Sequence, residues 1–193
     1  MIAWRRLARP NAQHMEINPP QKRHGWDLSG DEVTRIVSML KEGREVDAES
    51  ALDELPNCPI VTTIGDGEKI VSAAALKSVR KTYNESISEN SGYRLPPGIP
   101  ELGYVVTDAG HRKQGHARSV CLAVLKDLDG PLFATVRIDN RSMIVILECN
   151  GFVRVGDAWP SRKRKNVKLG LWIRNGNDSD ATAFLPTVKR EPP

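Results

Sequence analysis

Between Glu101 and Ala117 the chain reads ELGYVVTDAGHRKQGHA, an apolar stretch followed by glycines, histidines, an arginine and a lysine. The apolar part reads as a strand, and the residues after Gly115 read as the start of a helix. Backbone N–H groups at a helix start lack intrahelical acceptors, and the helix dipole makes that end positive. Gly115 lets a ligand approach the backbone closely, and Ala117 leaves the next turn open. Arg112, Lys113, His116 and Arg118 surround the same loop with basic side chains. In outline this is an anion site, suited to a phosphate or pyrophosphate. Gly110 and Gly115 have the spacing of a Walker loop, but His116 and Ala117 stand where Lys and Ser or Thr are needed. The G-x-G-x-x-G pattern of a dinucleotide site is absent.

The elements that must position this loop follow from hydrophobic period and from caps. Ser29-Gly30-Asp31-Glu32 has the form of a capping box, and Val33, Ile36, Val37 and Leu40 continue at helical spacing to Gly43. A second short helix is expected from Val46 to Leu55, stopped by Pro56. Ile60 to Ile64 and Lys69 to Leu76 read as a hairpin around Gly65-Asp66-Gly67. The polar residues 80 to 99 read as a long loop ending in Pro96-Pro97-Gly98. After the strand Glu101 to Thr107 come a helix from Ala117 to Leu128, a strand from Leu132 to Arg137 and a helix from Ser142 to Cys149. A strand begins at Phe152, and a last one runs from Val167 to Arg174 with Val167, Leu169, Leu171 and Ile173 on one face. This order implies a mixed sheet flanked by helices. Residues 1–27 form a basic, proline-containing arm, 28–174 a single domain and 175–193 a polar tail.

The loop sequence Arg112-Lys113-Gln114-Gly115-His116-Ala117 matches the pattern R/Q-x-x-G-x-G/A. Downstream stand the strand Phe133 to Arg137, Asn140 before a helix, and Asn150-Gly151-Phe152 at that helix's end. In this ordered set the chain resembles the GNAT (Gcn5-related N-acetyltransferase) superfamily over residues 30 to 174. The resemblance implies an α/β fold with a mixed, mostly antiparallel central sheet. It implies two splayed strands that receive acetyl-CoA as co-substrate, and direct acetyl transfer to an amine acceptor of unidentified kind. Val105, Val106 and Thr107 would line the pantetheine arm, and a backbone N–H near Val106 would polarise the thioester carbonyl. Arg112, Lys113, Gln114, Gly115, His116, Ala117 and Arg118 would hold the pyrophosphate, and Asn140 would bond the pantetheine or support the loop.

Attack by an amine requires loss of a proton, because an alkylammonium has a pKa of about 10.4. Glu101 stands eleven positions before Arg112, as the base does in histone-type members of the superfamily; the alternative is an ordinary strand-end glutamate. Many members carry a tyrosine seven residues after the asparagine to protonate the thiolate, and here Leu147 occupies that place. Tyr104 and Cys149 lie nearby without the superfamily's spacing and read as structural. The helices at the start, the segment from Arg80 to Ile99 and the last strands would border the acceptor groove, with Tyr83, Glu85, Glu89, Tyr93, Arg94, Asp157 and Trp159 among their residues.

Composition narrows the remaining classes. The 193 residues are 39% hydrophobic and 27% charged, which suits one globular core. The three cysteines form no CxxC pair, so no metal site or disulfide framework is expected, and a reducing cytoplasmic setting fits. No apolar run reaches the roughly 18 residues of a membrane span. Net charge is +4, with basic clusters in the arm and at Arg162-Lys163-Arg164-Lys165. Two other functions stay open: a non-catalytic acyl-CoA-binding module, and a nucleic-acid-binding protein using those clusters. Aromatics are only 5% and do not interleave with the basic run, so stacking on bases is poorly served. A homodimer is compatible with the superfamily resemblance.

Overall fold

The computed structural model describes residues 17–43, 48–162 and 164–175. Most of the basic arm, the polar tail from residue 176 and Lys163 lie outside the described residues. The strands are β1 (Gln21–Arg23), β2 (Ile60–Asp66), β3 (Lys69–Lys77), β4 (Glu101–Thr107), β5 (Leu132–Arg137), β6 (Val153–Pro160) and β7 (Lys168–Arg174). The helices are α1 (Gly30–Gly43), α2 (Ala48–Glu54), α3 (Lys81–Ser91), α4 (His116–Leu125) and α5 (Arg141–Cys149). The sheet has seven strands in the order β1-β2-β3-β4-β5-β7-β6. Every neighbouring pair is antiparallel except β4–β5, which is parallel. No described helix is long and apolar enough to cross a membrane.

Alternation along the strands divides the core between two faces. Leu102, Leu132, Ala134, Val136 and Trp172 pack with Val120, Val124, Ile144 and Leu147 of α4 and α5. On the opposite face, Val61, Ala73, Ala75 and Val106 meet Val33, Ile36, Met39 and Leu40 of α1 and Ala51 of α2. The same face continues under α3, where Ile87 packs with Phe133, Leu171 and Ile173. Each large apolar side chain removed from water in this way contributes about 1.5–3 kcal/mol. The capping box forms as expected: Glu32 N donates to Ser29 Oγ at 3.2 Å, and Ser29 N donates to Glu32 Oε2 at 2.9 Å.

The segment 80 to 99 is not the loop its polarity suggests, because α3 occupies its first half. Its helical face carries few apolar residues, so the periodicity that marks a helix is weak there. Polar side chains supply local bonds instead: Ser88 Oγ donates to Asn84 O at 3.0 Å and Ser91 Oγ to Ile87 O at 2.7 Å. Gly92, at φ 68°, ends the helix in a left-handed cap. The second helix is described over Ala48–Glu54; its expected start at Val46 lies among residues 44–47, outside the described set. At the sheet's other edge, residues of the arm add β1 beside β2.

The seat of α3 depends on one close approach. Gly156 of β6 has φ 63°, and a Cβ there would lie 2.3 Å from Ser91 O. Gly156→Ala should therefore destabilise the fold by about 1–3 kcal/mol, through strain and displacement of α3. Chemical denaturation checks this; an unchanged midpoint would show that α3 does not need the contact.

Candidate active site

Strands β4 and β5 pair at a single register position, Glu101 with Phe133. Phe133 N donates to Pro100 O at 3.1 Å just before the two strands separate. A cleft of about 200 Å³ lies between them, lined by Glu101, Tyr104, Thr135, Asn140, Met143 and Leu147 among others. Asn140 caps α5, accepting from Met143 N at 3.2 Å while it lines the cleft. Leu147 is fully buried in the wall, so no hydroxyl stands where a tyrosine would.

A bulge in β4 shapes the opposite wall. Ala73 pairs with Val106 while Ala75 pairs with Gly103, so one extra residue sits on β4. Tyr104 has φ 51°, a left-handed conformation rarely taken by a bulky residue. The bulge breaks the alternation: Leu102 and Val105 pack on the α4/α5 side, whereas Tyr104 and Val106 pack on the α1/α2 side. Tyr104 thereby joins Glu101 in a buried polar cluster.

Glu101 is 4% exposed and surrounded by donors. Thr135 Oγ1 donates to Oε1 at 2.8 Å, Tyr83 OH to Oε1 at 3.3 Å, and Lys77 Nζ to Oε2 at 3.2 Å. Lys77 also pairs with Glu54 at 3.5 Å, and Tyr104 OH donates to Glu54 Oε2 at 2.5 Å. Burial opposes the charge on Lys77, but Glu101 and Glu54 outweigh it and raise its pKa. Burial, reinforced by these carboxylates, raises both phenols as well, so Tyr83 and Tyr104 remain donors at neutral pH. The Cys58 thiol is pushed up to about 12 by burial and stays protonated. A second cavity of about 310 Å³ borders this cluster from the α2/α3 side, lined by Glu54, Cys58, Lys77 and Tyr83 among others. Lys77 lies in the wall of both cavities.

The loop after β4 forms the third part. Asp108 Oδ1 accepts from Gly110 N at 3.0 Å, closing a short 3-10 turn over Ala109–His111. Arg35 of α1 pairs with the other oxygen of Asp108. Lys113 at φ 62° and Gly115 at φ 84° then turn the chain into α4. As at any helix start, the first amides of α4 have no partner within the helix. Two left-handed residues just before a helix start can aim backbone N–H groups at an anion. Arg112 Nε bonds Thr107 O at 3.3 Å, and His116 Nε2 lies 3.2 Å from Gln114 Oε1. The helix start, open space over Gly115 and basic side chains together fit a pyrophosphate.

Of the residues sequence reading placed around one site, Glu101, Val105 and Asn140 line the cleft, Val106 packs on the α1/α2 side, Thr107 bonds Ser72, and residues 112–118 follow the end of β4. Sequence reading missed Lys77 and Glu54. Lys77 closes an otherwise apolar strand, a position where a lysine needs a partner. Nothing near Glu54 in sequence marks it, since its neighbours in the cluster are 23 to 50 residues away.

Comparison with solved structures finds this fold in acetyltransferases. One is a GNAT-family acetyltransferase from Streptococcus agalactiae, with TM-score 0.61 and 14% identity over 83% of this chain and 97% of that one. A Salmonella typhimurium protein solved with its cofactor acetyl-CoA matches at TM-score 0.58 and 14% identity, over 83% and 96% of the two chains. The ribosomal-protein-alanine N-acetyltransferase of Brucella melitensis matches at TM-score 0.59 and 16% identity, over 80% and 98%. No protein-family model matches the sequence, and no curated protein matches it either. The chain has the GNAT fold.

A histidine ties the loop to the hairpin behind it. His111 Nε2 lies 3.1 Å from Asp66 Oδ2, and Nδ1 lies 3.3 Å from Asp108 Oδ1. Its hydrogen bond to Asp66, with a further contribution from Asp108, raises its pKa above the ordinary 6.5. Arg35 beside Asp108, helped by His111, holds that carboxyl down at about 2. A raised histidine pKa means that the stabilisation is complete below 6.5 and is lost as pH rises through the folded value. The gap in thermal midpoint between wild type and His111→Asn should therefore be widest near about pH 6 and narrow by about pH 9. A constant gap across that range would remove the charge contribution of His111.

Proposed function

We propose that the protein is an N-acetyltransferase of the GNAT superfamily, carrying the acetyl group of acetyl-CoA to an amine by direct attack. The observation that supports this most is the cleft between β4 and β5, which separate after Glu101 and Phe133, on the strand that leads into the basic loop and helix start at Gly115. On this reading the amides and basic side chains of Arg112 to Arg118 hold the pyrophosphate. Val105, Val106 and Thr107 flank the pantetheine, with an amide near Val106 polarising the thioester oxygen. Asn140 supports the arm from the α5 side.

Glu101 is the base. Its carboxylate accepts from Lys77 and is linked to the acceptor cavity through Tyr83, whose hydroxyl donates to it and whose side chain borders that cavity. The ammonium form of the acceptor gives one proton to the Tyr83 oxygen while Tyr83 passes its own to Glu101, leaving the neutral amine. Nitrogen then bonds to the carbonyl carbon, the C–S bond breaks with its electron pair going to sulfur, and the second nitrogen proton ends on the thiolate. The alternative reading, an acyl-CoA-binding module without turnover, draws on the fully buried Leu147 in place of a tyrosine.

Two measurements test the reading. Calorimetry should detect micromolar acetyl-CoA binding to the wild-type chain and at least about tenfold weaker binding to Gly115→Glu, about 1.4 kcal/mol or more. No binding by the wild type removes the enzyme. Glu101→Gln should keep acetyl-CoA affinity within about twofold while lowering kcat at least about 100-fold, the scale of general-base catalysis. Full turnover in that variant would place the base elsewhere.

A further inference from the structure

The α2/α3-side cavity points to the kind of acceptor that this site takes. Building on the acetyltransferase reading, we infer that the acceptor is a cationic primary alkylamine, and that Glu54 determines this preference by receiving its ammonium group. The two carboxylates of the buried cluster are placed differently. Glu101 has its side chain 5% exposed, accepts from Lys77, Tyr83 and Thr135, and does not line the α2/α3-side cavity. Glu54 keeps 38% of its side chain exposed at the end of α2, in the wall of the cavity that Tyr83 also lines.

Charge in this cavity favours a cation. One ammonium, Lys77, serves both carboxylates, so the pair retains a net negative charge that Lys77 cannot cancel. Asp53, next to Glu54, adds a carboxylate to the same wall. Arg80 is the opposing charge in the lining, and it is exposed. A positive amine entering here meets Glu54 first and then the Tyr83 hydroxyl, the route by which its proton reaches Glu101. Tyr104, locked in the β4 bulge, holds the Glu54 carboxylate in position through its hydroxyl. Glu54 thus sets binding of the amine, while Glu101 sets its deprotonation.

Acetyl transfer to n-butylamine, a cation, and to 4-aminobutyrate, which carries an added carboxylate, separates the possibilities. Acetyl-CoA affinity is measured by calorimetry on every sample. Wild type should acetylate butylamine with at least about tenfold higher kcat/KM, equivalent to about 1.4 kcal/mol. Glu54→Gln should raise KM for butylamine at least about fivefold with a much smaller change in kcat, and Glu54→Asp should restore most of the loss. A merely structural role for Glu54 would lower both substrates alike and would not be rescued by the shorter acid. A preference for 4-aminobutyrate overturns the inference and makes Arg80 the anchor for a zwitterion. Acetyl-CoA binding without transfer to butylamine overturns the amine class alone, whereas absent acetyl-CoA binding overturns the acetyltransferase reading with it. Should Glu54→Gln fail to fold by circular dichroism, Asp53→Asn and Glu54→Asp carry the comparison; equal selectivity in both and in wild type would support the inference only if butylamine remained preferred.

Discussion

A sheet whose two central strands meet only at Glu101 and Phe133 has to satisfy, by other means, the backbone and side-chain groups that pairing would have covered. The structure does so with a bulge on one strand and a polar cluster at the fork. Thr135 of β5 and Lys77 of β3 both bond the carboxylate at the start of β4, so three strands are pinned together at the point where the ladder stops. Such a cluster is costly unless complete, because each buried polar group left without a partner loses its hydration for nothing. Its completeness explains why a lysine and a glutamate tolerate burial beside Phe133 and Leu171.

The remaining architecture serves this fork. On one face, α4 and α5 support the far ends of the separated strands, and the start of α4 presents its first amides. On the other, α2 and α3 deliver Glu54 and Tyr83 to the cluster. Arg35 and His111 add a brace behind the loop, joining α1, the β2–β3 hairpin and Asp108. The brace and the fork lie at opposite ends of β4, so the strand is fixed at both ends with its bulge between them.

Local chemistry written in consecutive residues was legible in the sequence. The cap at Ser29, the hairpin at Gly65 and the helix start after Gly115 each depend on neighbours a few positions apart, and each stands where the pattern puts it. The loop read over residues 80 to 99 failed because α3 draws on serine and asparagine side chains and on tertiary support from Gly156, neither of which leaves an apolar period. Tyr104 read as structural because its role follows from a one-residue bulge, and a bulge reverses every face assignment made by simple alternation. Glu54 was invisible for a related reason: long-range charge pairing has no spacing rule.

Because the two cavities border helices on opposite faces and meet at Lys77, neither ligand has to enter by way of the other's opening. On the proposed reading this governs traffic. A coenzyme and an amine with separate doorways need not queue, so either can arrive first and the acetylated amine can depart while the thiol is still seated. Steady-state kinetics would then take the form of a ternary complex with random order, and the protein would never need to store the acetyl group on one of its own side chains.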